Sequence, residues 1–188
     1  MDWKELPSIE TKRLLLRSIT QDDVDDVFAV FSDPQVMRYW SSPPLGDKEA
    51  AAKLIEEIQL GFARQQSLKW GVVLPVENRL IGTATLFHPD FTHRRSELGY
   101  ALGRDHWGRG YMHEALTAVL DYAFHTLHFH RIEADVDPRN AASIRALERL
   151  GFQREGYLRE RWYVSGETQD AIFYGLLRPD WETANITT

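Results

Sequence analysis

The sequence predicts a mixed α/β protein of the α+β type, built on a mainly antiparallel sheet. Three strand-like segments follow one another between residues 68 and 103, and segments with a helical spacing of apolar residues stand before and after them. Near the end of the chain, a further helix pattern lies between two strand patterns, which predicts at least one parallel step. The 188 residues contain no linker longer than a turn, so we expect a single domain over residues 1–188.

The first part of the chain is typical of one strand and two helices. Residues 13–19 predict the strand, and residues 20–34 predict a helix with Thr20 as its N-cap and Pro34 beyond its end. Asp47 is a suitable cap for the second helix. Apolar residues recur in that helix on one face of a 3.6-residue period, at Ala51, Leu54, Ile55, Ile58 and Phe62.

The middle of the chain predicts an antiparallel meander followed by a helix. Residues 68–75, 79–88 and 96–103 are rich in strand-forming residues and are separated by polar turns. A helix is expected from about residue 111, because apolar residues again share one helical face. These residues are Met112, Ala115, Leu116, Val119, Leu120 and Ala123.

The last third of the chain predicts a strand, a helix and a terminal hairpin. The helix covers residues 138–151 and ends at Gly151, a residue suited to the left-handed conformation of a helix C-terminus. The strands on its two sides are expected to supply the parallel step. The strands are residues 131–137, 152–164 and 168–177, and the hairpin turns at Ser165 and Gly166.

Composition narrows the classes of function. The chain has no cysteine, which excludes disulfides, thiolate metal sites and a cysteine nucleophile. Its net charge of −6 argues against a nucleic-acid partner and favours cationic partners such as amines. The chain has no bilayer-spanning apolar run and no signal-peptide pattern at its start, so we expect a cytoplasmic protein without a membrane partner. His125, His128 and His130 lack the acidic residues that would complete a metal site, so no metal is expected.

Residues 105–115, DHWGRGYMHEA, place Gly108 and Gly110 at the start of the predicted helix. A glycine-rich turn between a strand and a helix exposes backbone N–H groups, and the helix dipole there favours an anion such as a pyrophosphate. A dinucleotide-binding turn needs a third glycine, but His113 stands at that position, and the Gly-Lys-Ser/Thr of a P-loop is missing. These residues alone also allow a tight turn that binds nothing.

Three further segments accompany this turn: ELGY at 97–100, NAAS at 140–143 and LGF at 150–152. In this order and spacing, together with WGRGYMHEA at 107–115, they resemble the ribosomal-protein branch of the GNAT acetyltransferase superfamily. The resemblance covers roughly residues 10–180. It implies a six- to seven-stranded mixed sheet that is splayed at its centre, with helices on both faces, and acetyl-CoA as the cosubstrate.

The resemblance also implies where acetyl-CoA binds. Its pyrophosphate would lie on the glycine loop, in which Trp107 replaces the family's Gln or Arg and Met112 replaces Gly or Ala. Its pantetheine arm would pair with the preceding strand at a bulge, where a backbone N–H would also receive the acetyl oxygen. Asn140 would hydrogen-bond the same arm. The loop residues are Trp107, Gly108, Arg109, Gly110, Tyr111 and Met112, and the strand residues are Tyr100, Ala101 and Leu102.

Acetyl transfer to an amine needs a base for the amine, donors for the oxyanion and a proton for the leaving thiolate. Glu97 is the first candidate for the base, directly or through water, and Glu160 is the second. Ser143 is the candidate acid. Asn140 and Ser143 are also favoured as helix caps, and Glu97 is equally suited to pair with a neighbouring arginine, so these alternatives stay open.

We therefore expect an acetyl-CoA-dependent N-acetyltransferase that acts on a protein N-terminus, such as that of a ribosomal protein. With a pKa near 8, about a tenth of an α-amino group is neutral at pH 7, against about 0.04% of a lysine. The alternative acceptor is a small amine: a polyamine, an antibiotic or an amino acid. The alternative to an enzyme is a non-catalytic CoA-binding module, and a homodimer is left open. Candidates to line the acceptor pocket are Tyr39, Trp40 and Trp70.

Overall fold

A single eight-stranded sheet runs through the described part of the protein. The strands are β1 (Ile9–Glu10), β2 (Leu15–Arg17), β3 (Ser67–Leu74), β4 (Arg79–Asp90), β5 (Arg95–Leu102), β6 (Arg131–Val136), β7 (Gln153–Val164) and β8 (Glu167–Leu177). Their spatial order is β1-β2-β3-β4-β5-β6-β8-β7. The computed structural model describes residues 5–164 and 166–185, so Ser165 of the predicted hairpin turn lies outside the described residues.

Helices cover both faces of the sheet, and each face has its own apolar core. Val27 and Ile55 belong to the core on one face, and Leu116 and Leu147 belong to the core on the other. No helix among the described residues is long and apolar enough to cross a membrane. The α-helices are α1 (Val24–Phe31), α2 (Pro34–Met37), α3 (Lys48–Ala63), α4 (Tyr111–Asp121), α5 (Ala141–Arg149) and α6 (Arg178–Asn185).

Two helix ends predicted from the sequence are confirmed: the start of α3 at Asp47 and the end of α5 at Gly151. Asp47 Oδ1 accepts the N–H of Ala50 at 2.8 Å and so begins α3. After α5, Gly151 takes the left-handed conformation with a φ of 88°. Its N–H donates to Glu148 O at 3.0 Å and that of Phe152 to Leu147 O at 3.1 Å, which is the paired bonding of a Schellman C-terminus.

The predicted first helix is divided in the structure. A 3₁₀ turn at Gln21–Asp23 precedes α1, and Thr20 N donates to Asp23 Oδ2 at 2.9 Å at its start. Pro34 does not follow the end of this helix; it is the first residue of α2, which Asp33 caps by accepting the N–H of Gln35 at 2.8 Å. Proline suits the first helical position because the N–H that it lacks would have no partner in the helix.

The sheet is mainly antiparallel, as predicted, but its parallel pair is not where we expected it. The strands on either side of α5 are not neighbours, because β8 lies between β6 and β7 and is antiparallel to both. The parallel neighbours are instead β5 and β6, which the chain joins through α4. A crossover helix is what parallel pairing requires, and α4 supplies it.

The sheet opens between these two parallel strands. Their pairing covers only Arg95–Glu97 against Arg131–Glu133, although β5 continues to Leu102 and β6 to Val136. The strands therefore separate beyond the third pair and leave a V-shaped opening, which confirms the predicted splay. The expected bulge at residues 100–102 is wrong: β5 stays in register with β4 there, and the irregularity lies in β4 between Phe87 and Asp90.

Candidate active site

The V-shaped opening leads into a cavity of about 780 Å³. Both strands line it, together with the loop before α4, the start of α5 and the residues in and after α2. Of the residues expected to form the site, the structure brings to this cavity Glu97, Tyr100, Ala101, Leu102, Trp107, Gly108, Met112, Asn140 and Ser143, and of the expected acceptor residues it brings Tyr39 and Trp40.

The hydrogen-bond register shows which backbone groups of β5 face the opening. Leu102 of β5 lies opposite Gly82 of β4, and the next residue, Gly103, donates its N–H to Ile81 O at 2.8 Å. This bond identifies Leu102 and Gly82 as a non-hydrogen-bonded pair, in which the N–H and C=O of Leu102 point away from β4. By alternation, the backbone groups of Tyr100 and Leu102 point toward the opening, and those of Ala101 point toward β4. An extended ligand can therefore pair with alternate residues of β5 only.

Trp107 binds the last of the backbone groups of β5 that face the opening. Its indole Nε1 donates to Leu102 O at 2.7 Å, although nearly half of the side chain is exposed. The carbonyl of Leu102 is thus occupied, and Tyr100 carries the nearest free carbonyl facing the opening. This contact gives a structural reason for Trp107 at a position where the family pattern has Gln or Arg.

The glycine loop next to Trp107 has the geometry of an anion site. Gly108 and Gly110 have φ values of 73° and 77°, and no atom lies within 4 Å of the position that a β-carbon of Gly108 would occupy. The first hydrogen bond of α4 runs from Glu114 N to Gly110 O at 3.1 Å, so the N–H groups of the preceding turn have no helical acceptor. The open loop, the free N–H groups and the unpaired strand edge fit a phosphate with an extended chain attached.

Tyr100 and Ser143 join the strand to the start of α5. The hydroxyl of Tyr100 lies 2.6 Å from Ser143 Oγ, and burial raises the pKa of this phenol to about 12. Asn140 Oδ1 accepts the N–H of Ser143 at 3.1 Å, so Asn140 does cap α5. The cap uses only the carbonyl end of its amide, and both side chains still line the cavity.

Carboxylates line the opposite face of the opening. Glu97 is half-exposed and lies 3.4 Å from His88 Nδ1. Asp135, which was not among the expected site residues, accepts the indole N–H of Trp162 at 3.0 Å; burial, together with the nearby charge of Glu97, raises the pKa of its carboxyl. The signal for Asp135 was available in the acidic residues at 133, 135 and 137, whose alternation places them on one face of the strand.

Two expected site residues lie elsewhere. Glu160 lines a separate surface pocket formed by residues 157–161, where its N–H donates to Asp170 Oδ1 at 2.7 Å. Trp70 is fully buried in the core and donates its indole N–H to Pro7 O at 2.8 Å. Arg109, Gly110 and Tyr111 belong to the glycine loop but do not line the cavity. Among the described residues, no group of three His, Cys, Asp or Glu is placed to hold a metal ion.

The splayed sheet, the glycine loop at a helix N-terminus and the facing carboxylates have the arrangement expected of an acyl-transfer enzyme with an extended, phosphate-bearing donor. Comparison with known proteins identifies the family. The model of the acetyltransferase (GNAT) domain matches residues 13–153, and the chain belongs to this family of N-acetyltransferases.

Named relatives match nearly the whole chain. It is 34% identical over 176 residues to the uncharacterised N-acetyltransferase p20 of Bacillus licheniformis, covering 94% of this chain and 99% of the relative. It is 37% identical over 186 residues to the ribosomal protein uS5 alanine N-acetyltransferase of Escherichia coli K12, covering 92% of each. The solved spermidine N-acetyltransferase of Vibrio cholerae, in complex with CoA and spermine, shares the fold with a TM-score of 0.80 at 24% identity, covering 92% of this chain and 99% of that one.

Proposed function

We propose that this N-acetyltransferase takes its acetyl group from acetyl-CoA and transfers it to the α-amino group of a polypeptide N-terminus, as a ribosomal-protein acetyltransferase does. The observation that carries this proposal is the division of the opening between β5 and β6 into two faces. Side chains alternate along a strand, so Tyr100 and Glu97 lie on opposite faces of β5. The donor is held on the Tyr100 side, and the acceptor amine approaches from the Glu97 side.

Residues of the donor face bind and orient the thioester. The N–H groups of the glycine loop hold the pyrophosphate, and Tyr100 offers its backbone to the pantetheine arm and its N–H to the acetyl oxygen. The amide nitrogen of Asn140 is available to hydrogen-bond the same arm, because the cap uses only its oxygen. When bound, acetyl-CoA supplies a thioester whose acetyl carbon forms a bond to the amine nitrogen as its bond to sulfur breaks.

Residues of the two faces move the protons. Glu97, directly or through one water, takes the proton that the amine nitrogen loses, and Asp135 attracts the incoming ammonium as a second carboxylate. Ser143 gives its hydroxyl proton to the departing sulfur as the hydroxyl of Tyr100, 2.6 Å from Ser143 Oγ, donates to that oxygen. Glu97 then releases its proton to water, and Tyr100 regains a proton from water, so the site returns to its starting state. A phenol is protonated at neutral pH even at its ordinary pKa of about 10, and burial raises the pKa of Tyr100 further, to about 12, so its hydroxyl is available as a hydrogen-bond donor.

The two arginines that line the cavity favour a polypeptide N-terminus over a polyamine. Arg38 lines the cavity and lies over the ring of Tyr39 at 5.2 Å, and Arg139 lines it beside Asp137. A peptide N-terminus brings a single ammonium group to the carboxylates. A polyamine would bring additional ammonium groups, which the positive charges of these arginines would repel. An α-amino group also loses its proton more readily than a primary alkylamine.

A small amine is the second candidate acceptor, and the carboxylates favour it. Glu97, Asp135, Asp137 and Asp170 all line the cavity; Asp137 is paired with Arg139, and the other three acidic residues suit a molecule with more than one ammonium group. The spermidine N-acetyltransferase that shares this fold was solved with CoA and spermine, which supports this second candidate.

Mass spectrometry of one mixed reaction tests both candidates. The protein is incubated with acetyl-CoA and an equimolar panel of N-terminal peptides, polyamines, amino acids and aminoglycosides. We expect peptides to be acetylated on the α-amino nitrogen faster than any small amine. Preferential acetylation of a polyamine would replace the first candidate by the second, and consumption of no acceptor, with CoA still bound, would leave only a CoA-binding module.

A further inference from the structure

The glycine loop is held from outside by a segment near the start of the chain. Arg13 Nε donates to Glu114 Oε2 at 2.6 Å, and its Nη1 donates to Arg109 O at 2.9 Å. The guanidinium also lies 4.6 Å from the centre of the Tyr111 ring. One arginine, about a hundred positions away in the sequence, thus contacts the glycine loop and the first turn of α4.

Glu114 is fixed at the centre of these contacts. Besides Arg13 Nε, its carboxylate accepts the backbone N–H of Arg13 at 2.7 Å and the hydroxyl of Thr11 at 2.6 Å. Burial alone would raise the pKa of Glu114, but the hydrogen bonds from Thr11 and Arg13 outweigh it, and the pKa lies below its usual range. Glu114 therefore stays ionised at neutral pH and keeps Arg13 in one rotamer.

These contacts act on the part of the loop that needs support. The backbone at Gly108 and Gly110 is left-handed, and the loop N–H groups must all point outward to receive an anion. Arg13 Nη2 lies 3.5 Å from the position that a β-carbon of Gly110 would occupy, so the guanidinium packs directly against the loop. A loop already held in its binding conformation loses less entropy when a ligand binds.

We propose that Arg13 is a positioning residue for acetyl-CoA binding: held by Glu114, it fixes the backbone of Arg109–Tyr111 in the conformation that receives the pyrophosphate. The inference rests on the use of acetyl-CoA proposed above. The β1–β2 connection does not line the cavity, yet through Arg13 it strengthens the binding of the pyrophosphate of acetyl-CoA.

The test compares donors with and without the pyrophosphate. For Arg13→Ala we expect the Kd for CoA, measured by isothermal titration calorimetry, to rise about tenfold, equivalent to about one hydrogen bond. The KM for acetyl-CoA should rise by the same factor, with kcat and the KM for the acceptor unchanged. Transfer from S-acetylpantetheine, which lacks the pyrophosphate, should proceed with the kcat/KM of the parent protein.

Two further variants keep the test decisive if Arg13→Ala folds poorly. Arg13→Lys keeps the charge but loses the planar fork, and Glu114→Gln keeps the shape but loses the charge that holds Arg13; both should weaken CoA binding by a smaller factor than Arg13→Ala. The matched control is Arg79→Ala, because Arg79 pairs with Asp26 at 2.8 Å with similar exposure, 56% and 17% against 41% and 18% for Arg13 and Glu114. It should leave the Kd for CoA unchanged.

The outcomes separate this inference from the proposed function. An unchanged Kd for CoA in the Arg13 variants, in a parent protein that binds CoA, would overturn the inference and leave the proposed function intact. An equal loss of kcat/KM with acetyl-CoA and with S-acetylpantetheine would also overturn it, because the effect would then be general. A parent protein that binds no CoA would overturn both.

Discussion

Tyr100 connects the two parts of the donor face within one residue. Its backbone points into the opening between β5 and β6, while its hydroxyl lies 2.6 Å from Ser143 Oγ at the start of α5. Because the strand sets the backbone and the phenol reaches the helix, a displacement of β5 would move the proposed oxyanion donor and the proposed proton donor together. The precision of the site therefore depends on the rigid strand and not on a loop.

The carboxylate of Asp135 is expected to lower the stability of the fold while it favours binding of the acceptor amine. The pKa of its carboxyl is raised, so the folded state disfavours the charged form. The cost to stability is present above the folded-state pKa and disappears as the pH falls through that value to below the unfolded-state pKa of about 3.9. We expect Asp135→Asn to have a higher free energy of unfolding than the parent at pH 7, with the difference vanishing below about pH 3.

Activity should change in the other direction. Loss of the carboxylate that attracts the ammonium should raise the KM for the acceptor roughly tenfold to a hundredfold, the range expected for one hydrogen bond to a charged group. Urea unfolding across the pH range and steady-state kinetics measure the two effects. A variant that is less stable at pH 7, or one whose acceptor KM is unchanged, would contradict the assignment of Asp135.

Among the elements, the loop before α4 offers the sharpest test. At Gly108 a β-carbon would meet no atom within 4 Å, so Gly108→Ala introduces backbone strain without a clash. A left-handed conformation costs a non-glycine residue about 1–2 kcal/mol. We expect a loss of about 1 kcal/mol in the free energy of unfolding and a raised KM for acetyl-CoA.

The control for this change is Gly46→Ala, since Gly46 also has no atom within 4 Å and carries no positive φ. Urea denaturation of the two variants side by side should show a neutral or slightly stabilising effect at Gly46. Equal effects at both glycines would show that the conformation of Gly108 carries no special strain.

Helices and their ends were predicted well from the sequence where residues close together in the chain determine the structure. The buried faces of α3 and α4, the cap at Asp47 and the C-terminus at Gly151 all follow from spacing or residue type. Two-residue β1 has no detectable pattern, and Pro34 permits either the end of one helix or the start of another. The partners of a strand cannot be read locally, which is why the parallel pair was misplaced.

In the candidate site, too, features set by consecutive residues were predicted and features set by distant contacts were not. Backbone features, such as the glycine loop and the cap at Asn140, were predicted because they are encoded in consecutive residues. Asp135 was missed because its importance depends on where β5 and β6 separate and on the burial that results. Glu160 was misplaced because β7 is irregular between Leu158 and Trp162: Trp162 reaches Asp135, but the side chain of Glu160 opens on another surface.

At the scale of the whole molecule, a group of charges marks the closed end of the opening. Glu133 is buried and accepts Arg95 Nη1 at 3.1 Å and Arg131 Nε at 2.7 Å, directly where the two strands still pair. Glu133→Gln should lower the free energy of unfolding by about 1.5–3 kcal/mol, the range for a hydrogen bond to a charged group. Urea denaturation at neutral pH measures it.

Glu155→Gln is the comparison, because Glu155 is more exposed and pairs with Arg131 alone. An exposed pair of this kind contributes about 0–1 kcal/mol. A loss at Glu155 as large as the loss at Glu133 would mean that the ends of β5 and β6 are not held together by the buried carboxylate.

The opening between β5 and β6 also bears on how the protein avoids aggregation. A sheet interrupted in its middle has two additional strand edges, and free edges readily pair with strands of other molecules. Here the two edges face each other, and residues of α4 and α5 such as Met112 and Ala142 line the space between them. A strand carries side chains on both faces and needs more room in this space than an unbranched chain does. The same helix residues that shape the opening therefore also shield these two edges from strands of other proteins.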